Sequence, residues 1–255
     1  MSKRNILITG GASGIGLGIA QHLGSLGHYI IIADINLAQA TSAVNQLQNQ
    51  GIDASAVELD VTDVNAVSDL PNKLHPLTVN VLINNAGVQH VSKLEDFPPE
   101  KWQLLINIML VAPALLSQAL LPSMRKHNFG RIINIGSVHS VVASPYKSAY
   151  VAAKHGLLGF AKTLALETGD CDVTVNTLCP AYVKTPLVEN QIAAQAIENG
   201  ISEQEVVETI MLAPMPKKAF IGIDELAATA AFLLSNEARN ITAQALVIDG
   251  GWTAR

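Results

Sequence analysis

The chain is poor in charged and aromatic residues, and this shortage excludes one class of protein. Charged residues make up 15% and aromatic residues 4% of the sequence, whereas hydrophobic residues make up 49%. Disordered segments show the opposite balance, with high charge and few apolar residues. We therefore expect a folded chain with a large interior, as in domains that cover both faces of a central sheet.

Positive charge and cysteine are scarce as well. The formal net charge is -5 and no run of Lys or Arg is present, so the basic footprint of a nucleic-acid-binding protein is missing. Cys171 and Cys179 are too few for a disulfide framework, and no Cys-x-x-Cys or paired His/Cys spacing suggests a metal site. These features predict a cytoplasmic protein with no metal ion and no nucleic-acid partner.

Uninterrupted apolar runs of membrane-spanning length are also lacking. The run at residues 6–8, after Lys3 and Arg4, stops at Thr9 and is too short for a secretory signal. Residues 104–121 approach the minimum length of a span, but four residues interrupt them, namely Asn107, Pro113, Ser117 and Gln118. We interpret this stretch as a buried helix rather than a membrane segment. A helix so apolar on all sides often lies at a subunit contact.

Short β-branched runs alternate with longer segments of helical periodicity along the whole chain. This alternation predicts parallel strands joined by helical crossovers, which is a Rossmann-type, doubly wound α/β sheet of about seven strands. The predicted strands are residues 6–9, 29–33, 54–59, 79–83, 131–135, 172–178 and 245–248.

The sequence has no linker, internal repeat or low-complexity tract, so we predict a single domain over residues 1–255. Residues 185–220 break the strand-helix rhythm, because they hold two helical stretches around Asn199-Gly200 and a Pro214/Pro216 exit. An insertion after the carboxyl end of a strand lies where ligands bind in this architecture. We therefore predict that residues 185–220 form a helical substrate lid.

A glycine-rich turn follows the first predicted strand and opens a helix near Leu17. Glycines let the turn be tight and let the backbone approach a pyrophosphate, which then lies at the positive N-terminus of the helix. The context of strand, turn and helix predicts a dinucleotide site. Its predicted cofactor-binding residues are Gly10, Ser13, Gly14, Ile15 and Gly16.

Asp34 closes the second strand and predicts the choice of cofactor. Its carboxylate can accept hydrogen bonds from ribose hydroxyls and would repel a 2′-phosphate, and the following Ile35 and Asn36 offer no cation. NAD is therefore favoured over NADP; the alternative is that Asp34 merely caps the next helix. Further predicted contacts with the adenine and its ribose come from the ends of the third and fourth strands, at Asp60, Val61, Asn85, Ala86 and Gly87.

Ser137 ends the fifth strand, and Tyr150 and Lys154 follow at i and i+4 of a predicted helix, so the last two share a face. A nearby ammonium favours the phenolate, so the Tyr-Lys pair can serve as a general base. Ser137 can hold the substrate oxygen. Taken alone, a Tyr-x-x-x-Lys pair on a helix more often lies at the surface without a catalytic role. Together with the glycine-rich turn and the Asn-Asn-Ala-Gly segment, it favours a catalytic role.

Over essentially its full length the sequence resembles the short-chain dehydrogenase/reductase family. The resemblance rests on the glycine-rich turn, Asn84-Asn85-Ala86-Gly87, Ser137, Tyr150-x-x-x-Lys154 and Asp249-Gly250-Gly251. It implies that Ser137 orients the reacting oxygen, that Tyr150 is the acid/base and that Lys154 also binds the nicotinamide ribose. It further implies that Thr185 contacts the nicotinamide end. In this chain Ala181 replaces the usual glycine after Pro180, and Met109 replaces the fourth catalytic residue, an asparagine.

Segments around Ser137, Tyr150 and residues 185–192, with the terminal Gly-Gly-Trp-Thr-Ala, are similar to the branch of the family that oxidises (R)-3-hydroxybutyrate to acetoacetate with NAD. This similarity implies a small hydroxy or oxo acid as the substrate and a homotetramer as the assembly. A small anion also needs several donors, because an unpaired buried carboxylate is costly. The implied carboxylate-binding residues are Gln89, His139, Lys147 and Gln191, and the implied pocket walls are Tyr182 and Trp252.

Three alternatives stay open at this point. The chain could reduce 3-oxoacyl thioesters or oxidise a neutral polyol, and it could be a silent dinucleotide sensor, which Met109 favours. In the family the asparagine acts through its backbone carbonyl, which holds a proton-relaying water near the lysine. Pro113 has no N–H to donate to the carbonyl four residues earlier, so we expect the Met109 carbonyl to keep this role. Asn107 faces elsewhere on the helix and cannot substitute.

Overall fold

Seven parallel strands form one sheet in the order β3-β2-β1-β4-β5-β6-β7. The structure is a computed structural model that describes residues 3–254 except the side chain of Leu187. Residues 1, 2 and 255 of the predicted domain lie outside the described residues. The predicted doubly wound, single-domain α/β fold is confirmed. The strands are β1 (Asn5–Thr9), β2 (Tyr29–Asp34), β3 (Ala54–Glu58), β4 (Val81–Asn84), β5 (Gly130–Ile135), β6 (Val173–Pro180) and β7 (Ala245–Ile248).

Both faces of the central strands are buried, which explains why these strands are almost continuously apolar. In β1 the side chains of Ile6 and Ile8 enter one core cluster, and that of Leu7 enters the cluster on the opposite face. All three side chains are fully buried. The strand order reverses between β1 and β4, and the carboxyl ends of these strands form the crevice where ligands bind in open α/β sheets.

Helices cover the two faces and connect the strands. Their ends follow capping rules: Asn36 caps α2 by accepting from the N–H of Gln39, and Asp63 caps α3. The helices are α1 (Gly14–Ser25), α2 (Leu37–Asn49), α3 (Val64–Leu74), α4 (Pro99–Ile106), α5 (Ala112–Lys126), α6 (Ser148–Glu167), α7 (Pro186–Asn199), α8 (Glu203–Glu205) and α9 (Ile223–Leu234).

A π-helical turn, Asn107–Val111, joins α4 and α5 into one helix over Pro99–Lys126. By length and composition this helix could cross a membrane, and 39% of its most apolar window is buried within the chain. The predicted continuous helix is confirmed, but the π turn was not foreseen. The part of this helix that the chain leaves uncovered is consistent with the subunit contact predicted for it, which stays a prediction.

The segment predicted as a lid does contain two helical stretches. Thr185 caps α7, and Gly200 ends it in the left-handed conformation, with φ of 64°. After Gly200, α8 continues into a second π-helical turn, Val206–Met211. The two-part organisation around Asn199-Gly200 is therefore confirmed, whereas the role of this segment as a lid stays a prediction.

Candidate active site

A cavity of about 430 Å³ opens at the carboxyl ends of the central strands and collects almost every residue that the sequence singled out. Gly16 is the exception. The residues in the cavity wall are Gly10, Ser13, Gly14, Ile15, Asp34, Asp60, Val61, Asn85, Ala86, Gly87, Gln89, Met109, Ser137, His139, Lys147, Tyr150, Lys154, Tyr182, Thr185, Gln191 and Trp252.

The glycine-rich turn brings α1 close to β1. Gly10 and Gly14 have φ of 59° and 53°, values that residues with a side chain rarely adopt. Gly16 lies behind the cavity wall: a Cβ there would lie 2.6 Å from the Gly10 carbonyl oxygen and from Asn85 Nδ2. Gly16 permits close packing of the helix on the turn, and its predicted contact with the cofactor stays a prediction.

Thr9 and Asn85 connect the turn to β4. The Asn85 side-chain amide donates to the carbonyl oxygens of Thr9 and Gly10, both at 2.9 Å. In return the Thr9 hydroxyl oxygen accepts from the N–H groups of Asn85 and Ala86. Sequence reasoning missed this role of Thr9, although its position between strand and turn was a usable signal.

The turn fits the pyrophosphate of a dinucleotide. Ser13 is the N-cap of α1, yet its side chain makes no capping hydrogen bond, so the first N–H groups of the helix stay available to an anion. Gly14 faces Thr185 across the cavity, with 3.6 Å between the position of a Cβ on Gly14 and the Thr185 side chain. Thr185 thus lies next to the turn, as a contact with the cofactor requires.

Asp34 lies in the cavity wall at the end of β2, with its carboxylate held in place. Its two oxygens accept from the N–H groups of Ala12 and Asn36, at 3.3 and 3.1 Å. Asn36, not Asp34, is the N-cap of α2, so the alternative role of Asp34 as a cap of that helix is wrong. Asp60 is fixed nearby by the N–H and hydroxyl of Thr62.

Ser137, Tyr150 and Lys154 converge at the carboxyl end of β5, as their spacing predicts. Lys154 lies on the same face of α6 as Tyr150, with its Nζ 5.6 Å from the centroid of the Tyr150 ring. The buried ammonium donates to the carbonyl oxygen of Ile135 at 2.6 Å. The hydroxyl of Ser137 accepts from the N–H of His139 at 3.1 Å, which fixes its orientation.

Burial controls the protonation of this group. It lowers the pKa of Lys154 to about 8 and raises the pKa of Tyr150, although a hydrogen bond with Ser137 acts on Tyr150 in the opposite direction. Loss of solvation around the phenol oxygen is the largest influence on the Tyr150 pKa, and it favours the neutral form. The expectation that Lys154 lowers this pKa stays a prediction.

His139 lies behind Ser137 and is 4% exposed. Burial, and secondarily the charge of Lys147, lower its pKa to about 4. Its two ring nitrogens lie 3.4 Å from Ser137 Oγ and 2.8 Å from Ser144 Oγ. His139 is thus neutral at physiological pH, and its predicted contact with a carboxylate stays a prediction.

Lys147 precedes α6 and points into the same cavity. It is 8% exposed, burial lowers its pKa, and its Nζ lies 3.4 Å from the hydroxyl oxygen of Tyr182. Tyr182 stacks on Trp252 at a centroid distance of 5.9 Å. Asp249 accepts three hydrogen bonds from Gly251 and Thr253, and these hold the turn that carries Trp252. The predicted walls of the pocket are therefore in place.

The two glutamines line the cavity, but with different neighbours. Gln89 accepts a hydrogen bond from the N–H of His90 at 3.0 Å, and Gln191 reaches the cavity from α7. The apolar lining was missed, because no local pattern distinguishes such residues from core residues. It includes Leu59, Val88, Ile108, Val138, Val183, Pro186 and Val188.

Met109 lies on the π-helical turn and faces the cavity. Its side chain is 1% exposed, and its sulfur lies 3.6 Å from the position of a Cβ on Gly87. Isolated π turns are frequent at functional sites. Pro113, four residues later, cannot donate to the Met109 carbonyl. The relay through that carbonyl stays a prediction.

Within residues 3–254 no group of three or more His, Cys, Asp or Glu side chains could hold a metal ion.

Comparison with known proteins shows which family the chain belongs to. The short chain dehydrogenase family model matches residues 4–196. The D-beta-hydroxybutyrate dehydrogenases of Rhizobium meliloti (strain 1021) and Cupriavidus necator are 41% and 40% identical to this chain, covering 99% and 100% of it and of themselves. The crystal structure of an actinorhodin polyketide ketoreductase with NADPH superposes with a TM-score of 0.94 at 29% identity, covering 99% of this chain and 98% of its own. The chain belongs to the short-chain dehydrogenase family and is an oxidoreductase that uses a nicotinamide cofactor.

Proposed function

We propose that this chain oxidises (R)-3-hydroxybutyrate to acetoacetate with NAD and catalyses the reverse reaction. The observation that carries this proposal is Lys147, a buried ammonium in the same cavity as Ser137 and Tyr150. Among residues 3–254, no carboxylate forms an ion pair with it. A buried cation without a counter-ion is costly, so the site is suited to a substrate that supplies a carboxylate.

The reaction removes a hydride and a proton from the alcohol, and these go to the cofactor and to the protein. A nicotinamide held at the glycine-rich turn would supply the acceptor for the hydride that leaves C3 of the alcohol. Tyr150 removes the hydroxyl proton as the carbonyl forms, and Ser137 donates a hydrogen bond to the reacting oxygen. Lys154, buried beside Tyr150, supplies a positive charge that favours the phenolate, the form in which Tyr150 can accept this proton.

Asp34 supports NAD rather than NADP. Its carboxylate is fixed by two backbone N–H groups at the cavity edge, where it can accept from both ribose hydroxyls. A 2′-phosphate at that place would meet a fixed negative charge, and the following Ile35 and Asn36 offer no positive one.

The rival activities make different demands on the cavity. A 3-oxoacyl thioester or a polyol carries no negative charge near the reacting carbon, and would leave Lys147 without a partner. A dinucleotide sensor without turnover would not need Ser137, Tyr150 and Lys154 to converge. The two relatives with the highest identity quoted above carry the name of a hydroxybutyrate dehydrogenase, which favours the acid.

Initial rates of NADH formation test the proposal. The two enantiomers of 3-hydroxybutyrate are compared with methyl 3-hydroxybutyrate, the uncharged ester, with NAD and with NADP. We expect efficient turnover of the (R) acid with NAD, and at least tenfold lower kcat/KM for the (S) acid and the ester. Turnover of the ester as efficient as that of the acid, or no turnover of the acid, would overturn the proposal.

We also propose a cytoplasmic homotetramer. Only 39% of the most apolar window of the long helix over Pro99–Lys126 is buried within the chain, and a second copy of the chain can cover more of it, as the family resemblance implies. Cys171 and Cys179 are both free thiols, as is usual in a reducing compartment. Light scattering coupled to size-exclusion chromatography tests the assembly, and a monomer at micromolar concentration would contradict it.

A further inference from the structure

A chain of three side chains runs from the cavity toward the surface. The ring of His139 lies between two serines, with Nδ1 at 3.4 Å from Ser137 Oγ and Nε2 at 2.8 Å from Ser144 Oγ. Ser137 and His139 are buried, whereas Ser144 is half-buried. A neutral imidazole carries one N–H, so the partner of each nitrogen determines which one holds the proton.

The hydrogen-bonding capacity of Ser137 limits the possible arrangements. A hydroxyl has one proton to donate and two lone pairs with which to accept. One lone pair accepts the backbone N–H of His139 at 3.1 Å. If Nδ1–H fills the second lone pair, the single proton of Ser137 is left to point into the cavity.

We propose that His139 is a positioning residue, held as the Nδ1–H tautomer by the hydroxyl of Ser144, and that it directs the proton of Ser137 toward the reacting oxygen. In this arrangement Ser144 donates to Nε2, and Nδ1–H donates to Ser137 Oγ. This inference rests on the proposed role of Ser137 as the donor to the substrate oxygen.

The opposite tautomer would impair the site. With the proton on Nε2, Nδ1 becomes an acceptor and draws the Ser137 proton away from the cavity. The reacting oxygen then loses a donor just where negative charge develops.

This role differs from the carboxylate contact expected of His139. A carboxylate-binding residue acts on the bound acid in the ground state and the transition state alike, so its loss raises KM. A residue that orients Ser137 acts where the oxyanion develops, so its loss lowers kcat for any substrate, with or without a carboxylate.

Ser144→Ala is the main test, and Ser144→Thr is its matched control because it retains the hydroxyl. We expect Ser144→Ala to lower kcat about tenfold, or about 1.4 kcal/mol, with KM for acetoacetate and the Kd of NADH within twofold of the parent. Ser144→Thr should restore most of the rate. Reduction of methyl acetoacetate, a neutral ester, should lose rate by the same factor.

Three outcomes would overturn the proposal: unchanged kcat in Ser144→Ala, a raised KM for the acid alone, or no rescue by Ser144→Thr. Ser137→Ala is measured in parallel and tests the proposed role of Ser137 by itself. If Ser137→Ala stays active, the proposed mechanism fails. If only Ser137→Ala is impaired, the mechanism stands and the inference about His139 fails.

A spectroscopic measurement does not depend on turnover. Long-range proton–nitrogen NMR of the histidine rings reports which nitrogen of His139 is protonated, with the variant His139→Asn used to assign the signal. We expect Nδ1–H in the parent protein and a shift toward the other tautomer in Ser144→Ala. A parent protein with the proton on Nε2 would contradict the proposal.

Discussion

The Nζ atom of Lys147 lies 3.4 Å from the hydroxyl oxygen of Tyr182, and the ring of Tyr182 stacks on Trp252. The ammonium also lies 5.5 Å from the centroid of the same ring. Tyr182 therefore links the cation to the aromatic wall of the cavity. A side chain as flexible as lysine gains a defined position from such a contact, and a fixed cation binds a carboxylate better than a mobile one.

Tyr182→Phe should raise KM for the hydroxy acid about fivefold, or about 1 kcal/mol, with kcat little changed. The substitution removes the hydroxyl that holds Lys147 and keeps the ring that stacks on Trp252. Steady-state kinetics with saturating NAD provide the measurement, and Tyr146→Phe, an exposed tyrosine outside the cavity wall, is the control. An unchanged KM would show that the hydroxyl does not position the ammonium.

Lys147→Ala and Gln191→Ala should each raise KM for the acid while the Kd of NAD stays the same, because their proposed partner is the carboxylate at the far end of the substrate. The increase in KM should be at least tenfold larger in Lys147→Ala than in Gln191→Ala, since the lysine supplies the charge. Fluorescence titration with NADH gives the cofactor affinity. Normal saturation behaviour in both variants would refute the assigned substrate pose.

Asp34 should give NAD at least a tenfold advantage over NADP in kcat/KM, or about 1.4 kcal/mol. Asp34→Ala should narrow this preference, because it removes both the acceptor for the ribose hydroxyls and the charge that repels a 2′-phosphate. Competition assays with the two cofactors measure the ratio. Equal use of both cofactors by the parent protein would contradict this account.

His139 should make the protein less stable as the pH falls from 6.5 to about 4. Its folded pKa of about 4 lies below the ordinary value of 6.5, so across this window the unfolded chain binds the proton more readily than the folded one. The stability difference is complete above pH 6.5 and is lost on acidification, by on the order of 3 kcal/mol. Melting temperatures of parent and His139→Gln are compared from pH 7 to pH 4. Parallel curves would argue against a buried neutral histidine.

The sheet could be predicted from sequence because its strands are local apolar runs, and the cavity could be predicted because strand ends meet at one edge. The features that could not be predicted depend on tertiary contacts. Strand β4 begins at Val81 rather than at residue 79, since the Asn80 side chain accepts from the N–H of Asn5 in place of a backbone carbonyl. The close packing at Gly16 and the contact of Ser144 with His139 involve residues distant in sequence or geometry that no local pattern reveals.

The π-helical turn gives the substitution at Met109 a specific test. Pro113 has no N–H, so the Met109 carbonyl lacks the donor that a regular helix would provide, and we expect a water there to pass protons between Lys154 and solvent. Pro113→Ala restores an N–H that can occupy this carbonyl, and it should lower kcat severalfold while leaving KM unchanged.

Two variants in the same helix serve as controls for Pro113→Ala. Pro122→Ala removes a second proline of α5 outside the cavity wall and should leave kcat unchanged. Asn107→Ala should also remain active, since the side chain of Asn107 accepts from Gln103 at 2.8 Å and lies outside the cavity wall. Loss of turnover in a folded Asn107→Ala, or full activity in Pro113→Ala, would mean that protons leave the site by a route that does not use the Met109 carbonyl.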